Sequence, residues 1–273
     1  MVRATWMVAL AIVAAWALAG CSGEKDVQGV KVKNLKTMEL DLGNGVTMKF
    51  VLIPKGKFQM GATGSEQGHL EKEGPRHEVT ITRPFWLAVT EVTQKQYEAV
   101  LGENPSNTKG PNNPVEFVSW QDAQKFCAKV LEKTQKRARL PSEAEWEYAC
   151  RAGTETPWFW GNSAGDIGRF AVYKDNSAGV NVSSPVATKL PNPWGLYDTI
   201  GNVWELVQDT DSAKYDPNDN VDPAGNHQAL EIKVARGGSM ITAVDQSRAA
   251  YRLSIGVAIK LADCGFRVAV DAQ

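Results

Sequence analysis

The chain has 273 residues, 43% of them hydrophobic, and a formal net charge of −1 at pH 7. A chain of this length can bury a sizeable core in one or two domains. Because it carries no surplus of positive charge, its composition excludes the electrostatic attraction on which nucleic-acid binding depends.

The first twenty residues predict a secretory signal. Arg3 precedes an apolar run from Trp6 to Leu18, which is short for a transmembrane helix. The run ends in Leu18-Ala19-Gly20-Cys21, which resembles the lipobox of bacterial lipoproteins, in which the cysteine becomes the lipidated first residue. We therefore expect residues 1–20 to be a lipoprotein signal peptide and Cys21 to carry lipid. An ordinary signal peptide or an N-terminal anchor helix is the alternative.

This N-terminus predicts a location in the bacterial cell envelope. A lipidated Cys21 would anchor the chain to a membrane, which is the outer membrane facing the periplasm if the cell is Gram-negative. Residues 21–37 predict a tether, because they are charged and small and have no apolar periodicity. We expect the globular domain over residues 38–273.

The domain begins with predicted strands. Apolar residues alternate on either side of Asn44-Gly45, a dipeptide typical of a β-hairpin turn. Similar alternation predicts strands at Lys57–Gly61 and His77–Thr82, and an apolar run predicts one at Ile232–Ala235.

Three helices are predicted from capping boxes, in which a serine or threonine is followed three residues later by an acid or glutamine. The three pairs are Thr93 with Gln96, Ser119 with Asp122, and Ser142 with Glu145. The second helix has an apolar stripe at helical spacing that includes Cys127, which we expect to be buried. After Gly153 regular patterns nearly vanish for about eighty residues, and four tryptophans there predict an ordered, irregular structure.

A glycine pair follows the strand predicted at Ile232–Ala235. Gly237 and Gly238 allow positive φ and a close approach of the backbone to neighbouring groups. Such a turn is typical of the floor of a site. We expect a groove floor built from Arg236, Gly237, Gly238, Ser239, Arg248 and Arg252.

Several sequence blocks lie in a fixed order between Phe50 and Ala269. They are Phe58-Gln59-Met60-Gly61; Glu91-Val92-Thr93 with Tyr97; Pro114-Val115-Glu116-Phe117-Val118-Ser119-Trp120; Arg139-Leu140-Pro141-Ser142-Glu143-Ala144-Glu145-Trp146-Glu147; Gly195-Leu196-Tyr197-Asp198 with Gly201-Asn202-Val203-Trp204-Glu205; Arg236-Gly237-Gly238-Ser239; and Gly265-Phe266-Arg267. In order and spacing they resemble the formylglycine-generating enzyme, or sulfatase-modifying factor, domain family. The resemblance implies an irregular single-domain α+β fold, low in regular secondary structure and related to C-type-lectin-like modules.

The enzymes of that family oxidise a sulfatase cysteine to formylglycine. The resemblance implies two cysteines soon after the Arg-Gly-Gly-Ser block, which bind Cu(I) and the substrate thiol. Thiolates suit Cu(I), whereas hydroxyl oxygens do not. The matching positions fall near Thr242 and Ser247, and no cysteine lies between Cys150 and Cys264. We therefore expect no catalytic residue for this oxidation and no copper.

The three cysteines after Cys21 have several possible roles. Cys264 precedes Gly265-Phe266-Arg267, where the family has an apolar residue, so a packed thiol is expected. Some family members bond the cysteines that match Cys127 and Cys150 to partners near the C-terminus. A Cys127–Cys264 disulfide and a plain core role for Cys127 both remain open.

The resemblance also implies a calcium site at Asp198, Gly201, Val203 and Glu205. The first and last would supply side-chain oxygens and the middle two carbonyls, which are the ligands that Ca²⁺ prefers. Alternatively, Asp198 and Glu205 cap turns around a buried Trp204. A second family site is not expected, because Val172 stands at the position of its asparagine, although Asn176 is close. An acidic run from Asp209 to Asp222 does not fit the EF-hand pattern and predicts a solvated surface loop.

The sequence thus favours a lipid-anchored, non-catalytic member of this family that acts as a binding or regulatory module in the cell envelope. We expect a protein or peptide partner there, a membrane contact through the lipid on Cys21, and no nucleic acid. The alternatives are a copper-dependent oxidase that generates formylglycine, an unorthodox oxidase using Cys264 or an unrelated activity in the same groove, and a calcium-dependent lectin-like module.

Overall fold

The computed structural model describes residues 23–179, 182–224 and 231–272, so the predicted signal peptide and Cys21 lie outside the described residues. The strands are β1 (Glu24–Val27), β2 (Val30–Lys33), β3 (Thr37–Gly43), β4 (Val46–Ile53), β5 (Gly56–Met60), β6 (His77–Ile81), β7 (Phe85–Ala88), β8 (Ala138–Arg139), β9 (Trp204–Thr210), β10 (Ile232–Arg236), β11 (Arg252–Gly256), β12 (Cys264–Phe266) and β13 (Ala269–Asp271). The helices are α1 (Gln94–Leu101), α2 (Trp120–Thr134), α3 (Glu143–Arg151) and α4 (Ile167–Phe170).

Two main sheets organise the fold. One has five strands in the order β3-β4-β7-β13-β8, and the other has four in the order β11-β10-β9-β12. Only Arg267 and Val268 separate β12 from β13, so the C-terminal segment passes directly from one sheet to the other. The β5–β6 and β1–β2 pairs form separate hairpins. The predicted α+β class is confirmed.

The locally encoded elements follow their sequence signals. The hairpin predicted around Asn44-Gly45 is the β3–β4 pair, and the strands predicted at Lys57–Gly61 and His77–Thr82 are β5 and β6. All three capping boxes form, with cap hydrogen bonds from Gln96 N, Asp122 N and Glu145 N at 3.2, 3.2 and 3.1 Å. Each cap satisfies a backbone donor that the first turn of a helix leaves free.

Helix α2 buries the predicted apolar stripe. Phe126 stacks on Tyr97 at 5.5 Å between ring centroids and meets the edge of Phe266 at 5.4 Å. Cys127 on the same face is 2% exposed and free, so its role as a plain core residue is confirmed. The disulfide alternative for Cys127 and Cys264 does not form.

The expectation that regular structure nearly vanishes after Gly153 is wrong for β9. This seven-residue strand pairs with β10 on one side and β12 on the other. Six of its seven residues are buried, so it shows no alternation of apolar and polar residues. Its buried polar side chains, Glu205 and Asp209, are accommodated by partners elsewhere in the chain, which a local pattern cannot show.

The tether predicted over residues 21–37 is wrong for Glu24–Lys33, which form the β1–β2 hairpin. Val32 is 2% exposed, and Lys33 N donates to Pro193 O at 2.8 Å. The hairpin therefore packs against a loop about 160 residues away in sequence. This packing stabilises a two-stranded hairpin whose own sequence has no apolar periodicity. The folded unit begins before Met38.

The solvated surface loop predicted for the acidic run is wrong at its start and agrees with the rest of the run. Asp209 is buried, and Asp222 accepts hydrogen bonds from the backbone N and the hydroxyl of Thr82. Asp216 and Asp219 are exposed, as a solvated loop requires. No helix among residues 23–179, 182–224 and 231–272 is long and apolar enough to cross a membrane.

Candidate functional site

The Arg236–Ser239 turn has the backbone geometry that its glycines predict. Gly237 and Gly238 have φ of +94° and +81°. A Cβ on Gly238 would lie 2.7 Å from the Ser247 hydroxyl, and one on Gly237 would lie 3.1 Å from the Trp146 ring. Both positions therefore need glycine for conformation and for space.

Thr242 and Ser247, at the positions predicted for thiols in the oxidases, lie buried beside this turn. Thr242 Oγ1 accepts a hydrogen bond from Ser239 N at 2.8 Å and lies 2.8 Å from Ser239 Oγ. Ser239 Oγ in turn donates to Asp263 at 2.7 Å. Ser247 Oγ donates to Ala243 O at 3.1 Å. The two hydroxyls are thus structural members of a local hydrogen-bond network.

The thiols that the chain does have are buried elsewhere. Cys127, Cys150 and Cys264 are each 2% exposed or less. Burial raises the pKa of Cys127 and of Cys150 to about 12 and raises that of Cys264 as well. The neutral thiol is a poor ligand for a metal and a poor nucleophile, so the packed-thiol prediction for Cys264 is confirmed.

The arginines predicted for the groove floor are held in buried ion pairs. Arg236 bonds Glu147 and the carbonyls of Ala249 and Ala250. Arg252 makes a two-pronged contact with Glu143, at 2.7 and 3.0 Å. Each guanidinium is 1% exposed or less, so its charge is neutralised inside the protein and is not presented to a ligand.

The floor prediction therefore needs correction. Arg236, Gly237, Gly238 and Ser239 are buried, and Arg252 lines a different cavity. Only Arg248 of the predicted set lines the cavity next to Ser247. Arg248 itself is paired with Glu73, at 2.8 and 2.9 Å, and with Glu66 at 3.0 Å.

That cavity, which we call the Trp158 groove, has a volume of about 400 Å³. Its lining includes Glu66, Glu155, Trp158, Asn162, Asp245 and Arg248. Trp158 Nε1 donates to Ser247 O at 2.6 Å. This bond links the wall of the groove to Ser247, one of the two positions predicted for a thiol in the oxidases. Sequence reasoning missed Glu66 and Asp245, and the only signal was the Gly-rich polar loop around Glu66.

The predicted calcium loop brings Asp198 and Glu205 into a cluster of buried carboxylates. Glu205 accepts from Arg267 at 2.6 Å on each oxygen and from Trp146 Nε1 at 2.7 Å. Glu91, which the sequence marked only as the start of a helix block, is also fully buried, and it accepts from Asn202 and Val203. Arg267 thus bonds Glu205 and acts electrostatically on Glu91 and Asp198, and Lys189 also acts on Asp198.

This cluster has an excess of negative charge. Burial, together with the neighbouring carboxylates, raises the pKa of Glu91, and burial raises that of Asp198 to about 6. Asp198 Oδ2 accepts from Ala187 N at 2.7 Å, but buried Oδ1 has no hydrogen-bond partner in the described part of the chain. Such an orphaned oxygen fits a hard cation such as Ca²⁺.

The oxygen atoms that are still free to coordinate a cation at this loop are few. Three hydrogen bonds occupy most of the Glu205 carboxylate, which has about four lone-pair sites. Across the described ranges, no group of three or more His, Cys, Asp or Glu side chains could hold a metal ion. A cation at the loop would therefore depend on Asp198 Oδ1, on the free lone pair of Glu205 Oε1 and on backbone carbonyls.

Asn176 lies close to the position of the second family calcium site, and its side chain forms hydrogen bonds within its own turn. Its Oδ1 accepts from Tyr173 N at 2.8 Å, and its amide donates to Ala171 O at 2.9 Å. Val172 O accepts from Asn202 N. These polar groups are thus used within the fold.

Comparison with known proteins identifies one family. The model of the sulfatase-modifying factor enzyme 1-like domain matches residues 43–272. The chain is 31% identical to the formylglycine-generating enzyme of Mus musculus, over 71% of this chain and 53% of that protein. It is 30% identical to the inactive C-alpha-formylglycine-generating enzyme 2 of Bos taurus, over 76% and 81%. The match thus spans about half the length of the mouse enzyme.

Two further similarities cover more of the chain. The chaperone protein LppX of Paenibacillus barcinonensis is 26% identical over 90% of this chain and 91% of its own length. The structure of PvdO from Pseudomonas aeruginosa superposes with a TM-score of 0.77 at 29% identity, over 86% of this chain and 98% of that one. The α+β fold is that of the formylglycine-generating enzymes and is related to C-type-lectin-like modules. The chain therefore belongs to the family of the sulfatase-modifying factor enzyme 1-like domain.

Proposed function

We propose that this protein is a non-catalytic member of the family, a binding module that holds a segment of a partner protein in the Trp158 groove. The observation that carries the proposal is the state of Thr242 and Ser247. Both hydroxyls are buried and hydrogen-bonded where the oxidases need thiolates. Oxygen ligands of this kind do not suit Cu(I).

The lining of the groove supports a peptide ligand. Trp158 supplies an aromatic wall, and Arg248 and Arg76 already neutralise Glu66 and Glu155. Asp245 is half-buried and forms no side-chain hydrogen bond among the described residues. A peptide with one apolar side chain and one basic side chain would therefore complement the groove.

Two relatives support a role without oxidation. One of them is named an inactive formylglycine-generating enzyme, and the other a chaperone, a word that denotes holding another polypeptide. The chaperone matches over nearly the whole of both chains. We infer that holding or regulating a protein partner is the function, and that the partner lies in the bacterial cell envelope, where a lipid on Cys21 would keep the domain.

The first prediction concerns oxidation. Incubation of the protein with Cu(I), oxygen and a sulfatase-type cysteine peptide is expected to yield no aldehyde by mass spectrometry. The double variant Thr242→Cys/Ser247→Cys is expected to compete with a chromogenic chelator for Cu(I), whereas either single variant competes poorly. A formylglycine-generating enzyme with both thiols is the positive control. Aldehyde formation by the unaltered chain would sink the non-catalytic proposal.

The second prediction concerns the groove. A photoreactive amino acid at Asn162, which lines the groove, is expected to form an adduct with one partner protein in intact cells. The same amino acid at Lys125, which is exposed on α2, is the matched control and forms no such adduct. Asp245→Lys should lower the adduct yield roughly tenfold, which corresponds to about 1.4 kcal/mol. Equal labelling from both positions would contradict a groove-specific partner.

The third prediction concerns the anchor. Cells that express the chain are expected to incorporate labelled palmitate into it, and Cys21→Ala should abolish the label. Ser22→Ala, which keeps the cysteine, is the matched control and should retain it. Label that survives Cys21→Ala would show that the lipid is attached elsewhere, and an unlabelled native chain would refute the anchor.

We also propose that the Asp198–Glu205 loop binds calcium as a structural ion. Calcium at about one hundred times its Kd should stabilise the fold by about 2.7 kcal/mol, which raises the Tm by several degrees. Asp198→Ala removes the unpartnered oxygen and should remove the shift, whereas Asp216→Ala, at an exposed acid outside the loop, should keep it. A native chain with the same Tm in calcium and in EDTA would refute this site.

A further inference from the structure

Two cavities border the β1–β2 hairpin, with volumes of about 350 and 140 Å³. Arg169 and Lys189 line the larger one, and Lys25, Lys33 and Lys49 line the smaller one. No acidic residue of the described ranges lines either cavity. In a chain with a net charge of −1, this is a marked local concentration of positive charge. We call these five residues the basic face.

None of the five cations has a carboxylate within 4 Å in the described structure. Lys189 donates to Gly168 O at 2.8 Å and Arg169 to Gln28 O at 3.4 Å, which fixes their positions without neutralising them. Some exposed lysines elsewhere are paired, as Lys57 is with Glu78 at 2.7 Å. The basic face therefore keeps its charge available for an external anion.

The acids nearest in strand register do not change this. Glu24 lies opposite Lys33 in the β1–β2 pair, and Glu39 lies opposite Lys49 in the β3–β4 pair. Neither glutamate forms an ion pair with the lysine opposite it. Asp26, the other acid of the hairpin, is paired with Lys31 at 2.8 Å.

The chain leaves the described structure beside this face. Gly23 O accepts from Asn34 N at 2.8 Å, so Gly23 is fixed at the open end of the hairpin. Cys21 is two residues earlier, and two extended residues reach at most about 7 Å. That distance is shorter than the Debye length of about 8 Å at physiological ionic strength. A lipid on Cys21 would thus bring the hairpin to within electrostatic reach of the bilayer surface.

We propose that the basic face binds the anionic phospholipid headgroups of the membrane that holds the lipid on Cys21. This rests on the lipid anchoring proposed above. Each lysine or arginine near an anionic surface contributes about 1 kcal/mol of attraction. Lipid and basic face together would hold the domain against the bilayer in one orientation, because the docked hairpin leaves no long tether between them.

The test uses a chain that starts at Ser22, which keeps every described strand, helix and ion pair and cannot carry the lipid. In vesicle co-sedimentation it is expected to bind phosphatidylglycerol-rich vesicles, to lose binding as salt rises, and not to bind phosphatidylcholine vesicles. The triple variant Lys25→Gln/Lys33→Gln/Lys49→Gln should weaken partitioning roughly fivefold for each lysine replaced. The matched control, Lys57→Gln/Lys214→Gln/Lys260→Gln, removes the same charge at exposed lysines that line neither cavity and should bind like the unaltered chain.

The outcomes separate the possible ligands. Equal loss of binding in both triple variants would show that net charge decides and would overturn the proposal. Binding of inorganic phosphate without vesicle binding would assign the cavities to a soluble anion, and binding of an acidic polypeptide without vesicle binding would assign them to a protein; either result overturns a membrane face. Thermal unfolding of each variant confirms that it is folded. Because this chain has no lipid, the result is independent of the palmitate labelling at Cys21.

Discussion

Buried arginine–glutamate pairs hold this fold together. Glu143 and Glu147 of α3 bind Arg151, Arg236 and Arg252, while Arg248 pairs with Glu73 and Arg267 with Glu205. Removal of one partner from such a pair leaves an uncompensated buried charge and costs about 3–5 kcal/mol. All the segments that carry these groups must therefore fold together. The ion pairs thus favour one arrangement of these segments in a domain with little regular secondary structure.

The Arg-Gly-Gly-Ser turn is part of this framework and does not by itself carry chemistry. Its arginine bonds Glu147, its glycines make room for Trp146 and Ser247, and its serine joins Thr242 to Asp263. These roles persist whether thiols or hydroxyls follow the turn. The block therefore indicates the fold, and the side chains at the positions of Thr242 and Ser247 decide whether copper chemistry is possible.

Charge is distributed unevenly over the rest of the molecule. Carboxylates gather around Arg267 in the interior, whereas lysines and arginines that form no ion pair with the described residues border the N-terminal hairpin. The hairpin joins this basic face to the end of the chain that would carry lipid. The basic face and the Trp158 groove are thus separate features of one fold, whose segments are tied together by buried ion pairs.

The sequence alone determined the elements whose signals are local. Capping boxes set the starts of α1, α2 and α3, and alternation around Asn44-Gly45 set the first hairpin, because these depend on residues a few positions apart. The ordered blocks predicted the family, and the sequence has no cysteine between Cys150 and Cys264. Only the tertiary structure decided that β9 is a strand, that Glu24–Lys33 is docked, and that Arg236 is neutralised by a glutamate 89 residues away. Those features depend on the burial of charge and apolar surface between distant segments, and no local pattern records such contacts.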